Sequence, residues 1–256
     1  KKHSGVERLD AGGQYVMPGL INSHGHYYSA FAVGAYSPGD APFSLPTILQ
    51  KFWFPFDLAM NEDDIRYSAW NGVLDAIRHG NTTLFDHHSS QGCADGALDI
   101  IAEVVEEAGL RSVLCFETTD RNGPEAAKAG IAENVRFIKR CSQEKIAGGR
   151  VLGNFGIHAP MTVGEETLAA CRAAVPQGTG FHLHVAEHEY DQYRSLAMSG
   201  TRSVDRLQKH GILGDRSILA HAIHLDAREV NIIAETQSWV SHQPRNNQNA
   251  AEIGRA

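Results

Sequence analysis

Val16-Met17-Pro18-Gly19-Leu20-Ile21-Asn22-Ser23-His24-Gly25-His26 runs from an apolar, β-prone stretch directly into two histidines spaced i, i+2. Alternate residues of a strand point to one face, so both imidazoles can grip a single ion. The spacing alone is weak evidence, because a histidine-rich chain of this length gives ~0.8 such matches by chance. The context strengthens it. Gly19–Ser23 reads as a first strand, and the pair sits at its C-terminal end, where (β/α)8 barrels carry their active sites.

Outward from that strand the same unit recurs. Further β-prone runs fall at Thr82–Asp86, Ser112–Phe116, Val151–Ile157, Gly180–Val185, Ser217–Ala222 and Ser238–Ser241. Amphipathic stretches lie between them. Asp63–His79 carries Ile65, Ala69, Val73, Leu74 and Ile77 at helical spacing, with Gly80 as a stop. Asp99–Ala108, Glu125–Arg140, Glu165–Ala174, Arg202–Lys209 and Asp226–Ala234 read the same way. Strand and helix in alternation predict a parallel sheet, and this many units favour an α/β barrel of the TIM type over an open sheet. Only seven units can be counted, where a (β/α)8 barrel needs eight. The expectation is a barrel over residues 18–256 that stops before its last strand, with open edges on the first and seventh strands. Residues 1–17 are expected to be the end of a small N-terminal β segment. Tyr36–Phe56, rich in proline and aromatics, follows the first strand and is expected over the barrel mouth, as a substrate lid or an inter-subunit packing loop.

Composition narrows the partners. The net charge of −7 argues against a nucleic-acid partner, which needs a basic face. No apolar run is long enough to span a bilayer. Cys93, Cys115, Cys141 and Cys171 are widely spaced with no C-x-x-C, which suits reduced thiols in a cytoplasmic enzyme. A small-molecule substrate is expected, and homo-oligomerisation stays open.

Chemistry concentrates at strand ends. The fifth strand ends in His184-Val185-Ala186-Glu187, a ligand histidine beside a carboxylate that can carry protons. His182 shares the face of His184 one layer deeper and reads as a core histidine, with a ligand role as the alternative. The sixth strand ends in His221 and the fourth in His158, both facing the same mouth. The second strand ends in Asp86-His87-His88 and the third in Glu117-Thr118-Thr119-Asp120-Arg121. His87, Glu117 and Arg121 are candidate substrate contacts, Arg121 or His87 for a carboxylate or an exocyclic carbonyl. For each the competing reading is a rim residue bonded to a neighbouring loop. Histidines scattered at random would not all fall at the C-terminal ends of strands one, four, five and six.

Pro18-Gly19-Leu20-Ile21-Asn22-Ser23-His24-Gly25-His26, His158-Ala159-Pro160, His184-Val185-Ala186-Glu187 and Leu219-Ala220-His221-Ala222-Ile223-His224-Leu225, in that order, resemble the amidohydrolase superfamily. The likeness is greatest to its branch of guanine, cytosine and triazine deaminases. Asp86-His87-His88, the run from Cys115 to Gly123 and Glu133-Asn134-Val135-Arg136-Phe137 resemble the aminohydrolases called SsnA.

The resemblance implies one divalent ion, zinc or alternatively iron, held by His24, His26 and His184. It implies Glu187 as general acid and base, His221 as an orienting group and His158 as a substrate contact. Two-metal members bridge their ions with a lysine on the fourth strand, and Arg150–His158 contains none, which argues for a single ion. The superfamily's last strand supplies an aspartate ligand, and no such strand is found before Ala256. After strand seven, His242-Gln243-Pro244-Arg245-Asn246-Asn247 departs from the usual H-N-P-x-S-N, which bears on the geometry of that loop. The expected reaction is hydrolytic deamination of a purine- or pyrimidine-like nitrogen heterocycle by a metal-bound hydroxide. The alternatives are ring-opening hydrolysis of a cyclic amide and a ligand-binding barrel without catalysis.

Overall fold

The structure, a computed structural model, describes residues 5–35 and 44–249. Its strands are β1 (Leu20–Gly25), β2 (Asn81–His88), β3 (Arg111–Phe116), β4 (Val151–Gly153), β5 (Phe155–Gly156), β6 (Phe181–Val185), β7 (Ile218–His221) and β8 (Trp239–Ser241). They pair in parallel in the orders β1-β2-β3-β4 and β5-β6-β7-β8. β6 is buried along its whole length, as a parallel strand covered on both faces must be. Helices follow the strands, so the architecture is the α/β barrel the alternation predicted.

The run Val151–Ile157 does not form one strand. It breaks at Asn154 into β4, which ladders with β3, and β5, which ladders with β6. Between the two ladders the seam is held by a bridge from Thr118 to Ile157 and by one side chain. Asn134 Oδ1 accepts the Phe116 and Gly156 N–H groups at 2.9 and 3.1 Å, and its Nδ2 donates to their carbonyls at 2.8 and 3.2 Å. The amide thus supplies the backbone partners that a ladder would. Gly156 makes the approach possible, since a Cβ there would stand 2.2 Å from the Phe116 carbonyl oxygen.

The helices Glu62–Arg78, Ala97–Ala108, Pro124–Glu144, Glu165–Ala174, Ser203–Lys209 and Ala227–Glu235 lie where the periodicity put them. Asn61 opens the first of these with a reciprocal capping box to Asp64. A further helix, Glu189–Ser199, was not foreseen. Two apolar clusters fill the core, one around Ile65, Leu98, Leu114 and Phe116, the other around Phe155, Leu168, Leu183 and Leu219. Each such side chain contributes about 1.5–3 kcal/mol on burial.

Residues 44–59 are helical, with α-turns at Leu45–Ile48 and Phe54–Ala59 joined by a wider π-turn at Leu49–Trp53. Pro46 stands in the opening turn of this helical run, where a missing N–H costs nothing, and Pro55 stands just past the π-turn. Tyr36, Pro38, Pro42 and Phe43 of that segment lie outside the described residues. At the N-terminus, residues 6–17 form no strand among the described residues. Val6, Leu9, Tyr15 and Val16 meet no apolar surface and stay exposed. Among the described residues no backbone ladder joins β1 to β8, and the link between these strands is the 2.6 Å contact of the Ser23 and Ser241 hydroxyls.

Candidate active site

Three imidazoles face one another at the C-terminal rim. His24 lies in β1, His26 directly follows it, and His184 is in β6. Their ring centroids stand 4.8–5.2 Å apart. Backbone carbonyls fix two of the tautomers. His26 Nδ1 donates to the His87 carbonyl at 2.6 Å, and His184 Nδ1 donates to the His158 carbonyl at 2.8 Å. In the neutral rings both Nε2 atoms then carry lone pairs, yet they face each other at 3.2 Å. Two lone pairs at that range repel unless a cation lies between them. Two nitrogens bound tetrahedrally to zinc stand about 3.3 Å apart, which follows from a Zn–N length of about 2.0–2.1 Å. His24 Nδ1 contacts His182 Nε2 at 2.9 Å, and His24 Nε2 is buried without a hydrogen-bond partner.

Burial keeps these rings neutral, as metal ligands must be. It pushes the His24 and His184 pKa values well below the ordinary range, helped by neighbouring histidines. It pushes His26 down to about 4 against the opposing pull of Glu117. Donor atoms group in two overlapping sets: His24, His184 and His221 in one, and His26, His87, Glu117 and His184 in the other, each within 4.8 Å. His184 is shared by both sets, whereas His24 and His26 fall in different ones. The bare nitrogens and the neutral state fit a divalent ion.

Glu187 and His221 meet beside these rings, with Glu187 Oε1 3.5 Å from His221 Nε2. Both stand on strained turns. Ala186 has φ +50°, His221 +72° and Ala222 +54°, left-handed conformations that cost an L-residue roughly 1–2 kcal/mol each. Such strain at the ends of adjacent strands aims two side chains at one point. The loop after β8 reaches in as well. Asn247 Oδ1 accepts from His221 Nδ1 at 2.9 Å, and Asn246 Nδ2 donates to Glu187 Oε1 at 3.1 Å. Both asparagines stand in the run that departs from the family pattern.

The remaining candidates separate by depth. His158, its pKa pushed by burial to about 3, bonds Thr162 Oγ1 at 2.8 Å and faces the ring of Phe54 at 5.9 Å. His87 and Glu117 lie beneath the rim and not in the open mouth. His87 Nδ1 meets Glu117 Oε1 at 3.0 Å, and His87 Nε2 meets the Ile157 and His182 carbonyls at 3.1 and 3.0 Å. Burial pushes the Glu117 carboxyl up, but His158, His87 and His26 outweigh it and hold the group well below the usual carboxylate range. His182 is fully buried, as a core histidine would be. Arg121 is spoken for. It pairs with buried Asp57 of Phe54–Ala59, donates to Ser89 Oγ at 3.1 Å and lies 4.2 Å over the Phe54 ring. A cavity of about 460 Å³ opens beside it, walled by Leu49, Phe54, Met161, Tyr190 and Met198. Asp57 escaped the sequence reading, and Asn246 and Asn247 entered it only as loop residues without a role at the site. Nothing local marks Asp57, whereas the asparagines could have been sought in the loop after strand seven.

Comparison with known proteins agrees with this geometry. A model of the Amidohydrolase family matches residues 15–253. A 5-methylthioadenosine/S-adenosylhomocysteine deaminase of Haloarcula marismortui is 32% identical over 252 residues, covering 96% of this chain and 55% of its own length. A 5'-deoxyadenosine deaminase of Methanothermobacter thermautotrophicus is 31% identical, covering 95% and 54%. The chain thus spans about half the length of the curated relatives it matches. A zinc-bound adenosine deaminase structure from Xanthomonas campestris superposes with a TM-score of 0.79 at 23% identity, over 93% of this chain and 52% of that one. A guanine deaminase from C. acetobutylicum with bound guanine gives 0.80 at 16% identity, over 92% and 56%. These two likenesses establish the fold.

Proposed function

The chain belongs to the amidohydrolase family, and from that premise we propose that it is a metal-dependent aminohydrolase acting on a purine-like amino-heterocycle. His24, His26 and His184 hold one divalent ion, zinc in the first instance and iron as the alternative. When bound, such an ion activates water and polarises the carbon under attack. The protein's own groups do the rest. Glu187 takes one proton from water and gives it to the ring nitrogen, then takes the second proton from the added hydroxyl and gives it to the leaving nitrogen. Water's oxygen becomes the carbonyl, the C–N bond breaks and ammonia departs. His221, held by Asn247, orients Glu187 and the attacked face. His158 and Phe54 border the mouth where the ring enters.

The substrate class draws on the relatives, which are named as deaminases of adenine nucleosides. The SsnA-like runs support a finer placement within the aminohydrolases. The four free thiols, three of them buried, suit a reducing compartment such as the cytoplasm. Among the described residues no helix is long and apolar enough to cross a membrane.

The observation that carries the proposal is the pair of bare Nε2 atoms 3.2 Å apart beside the Glu187–His221 contact. The test is ammonia release by the full-length, zinc-loaded protein from 5'-deoxyadenosine, 5-methylthioadenosine and guanine. Stoichiometric ammonia supports deamination. Turnover of a cyclic amide without ammonia would favour ring opening instead, and ligand binding without any turnover would leave a non-catalytic barrel.

A further inference from the structure

We infer that Asp191 is a positioning residue for Glu187, acting by clasping the left-handed turn that aims Glu187 at His221. The inference rests on the role of Glu187 proposed above. Asp191 is buried in the first turn of Glu189–Ser199. A carboxylate there ordinarily serves its own helix, but that helix is capped by His188, which accepts from the Tyr190 N–H at 3.0 Å. Asp191 reaches backward instead. Its Oδ2 accepts the Ala186 N–H at 2.7 Å, while its Oδ1 is buried without a hydrogen-bond partner.

Ala186 immediately precedes Glu187, and an L-residue at φ +50° persists only when its surroundings hold it there. Asp191 holds the N–H side of that residue. The carbonyl side is held by the neighbouring rim: Ala186 O accepts the Ile223 and His224 N–H groups at 3.2 and 3.0 Å, and Val185 O accepts the Ala222 N–H at 2.9 Å. These partners belong to the turn that carries His221. The carboxylate on one side and these rim contacts on the other hold the turn between the strand ends that present Glu187 and His221. Asp191 touches no reacting atom and acts only through the backbone it holds.

The test uses the full-length, metal-loaded protein carrying Asp191→Ala. Turnover should fall on the order of 10- to 100-fold with KM within about threefold, the cost expected of a misplacement near 1 Å. Metal content should not change. Asp191→Asn keeps an acceptor in the same place and should retain most of the activity. If the alanine variant fails to fold, Asp191→Glu shifts the carboxylate by one methylene without removing its charge, and should show the same loss in kcat. A crystal structure of the folded variant should show Ala186 relaxed from positive φ and the Glu187–His221 contact opened beyond 3.5 Å. A variant that melts earlier but keeps wild-type kcat per metal-loaded site would overturn the inference, as would an unchanged Ala186 turn in the crystal. The crystallographic result stands even if the wild type deaminates nothing tried. A failure of the proposed function therefore shows as a silent wild type, and a failure of this inference as an unmoved turn.

Discussion

In the proposed reaction Glu187 is the proton carrier, a role separable from holding the metal. Its carboxylate is bonded by Asn246 and faces His221, while the proposed ligands are His24, His26 and His184. Glu187→Gln should therefore keep its metal and lose turnover by a factor on the order of 10²–10⁴, the worth of general acid–base catalysis. Kinetics with metal analysis of the same sample checks this, and near-normal turnover would remove Glu187 from the mechanism. Asp86 offers a different test. Burial raises its carboxyl from 3.8 to about 8, against the opposing hydrogen bond from the Tyr27 N–H at 2.6 Å. Between those values the unfolded chain has released a proton that the fold retains, so stability falls as pH rises across that window. Denaturation of Asp86→Asn should show a flatter dependence on pH there, and an unchanged slope would place the titration elsewhere. At this scale much was legible. H-x-H after a strand and H-x-x-E after another are local patterns, and strand periodicity says where their side chains go. The partnership of His87 with Glu117, 30 residues apart, and that of Arg121 with Asp57, 64 apart, are made only by tertiary packing.

Elements were read well where one face is apolar and poorly where none is. Glu165–Ala174 formed within its predicted bounds. Glu189–Ser199 was missed because it buries Asp191, Gln192 and Ser195 while Tyr190, Tyr193 and Leu196 stay exposed, which inverts the usual signal. The break at Asn154 was invisible because its cause lies in another element. Asn134, on the helix Pro124–Glu144, stitches the β3 and β5 backbones where the ladder lapses. Asn134→Ala would leave the Phe116 N–H and carbonyl and the Gly156 N–H without this partner, while the Gly156 carbonyl keeps the Thr118 N–H at 3.3 Å, and each unsatisfied group costs about 1–3 kcal/mol. The expected loss is roughly 3 kcal/mol or more, with some of the cost relieved by water at the seam. Urea denaturation measures it, and a loss under about 1 kcal/mol would mean that the seam is held by other contacts.

At the scale of the whole molecule, buried neutral histidines assembled around a shared centre only make sense if something positive completes them. Their mutual proximity is costly in the empty protein and becomes a source of stability when a cation fills the site. A divalent ion at 100 times its dissociation constant should add about 2.7 kcal/mol to unfolding, and chelation should remove it. The most direct measurement is anomalous diffraction at the zinc edge from crystals of the full-length, zinc-loaded protein. The account predicts one strong peak bound by the Nε2 atoms of His26 and His184 together with His24, at the C-terminal rim beside Glu187. A peak on other residues, or none at the rim from protein that retains stoichiometric zinc, would contradict it.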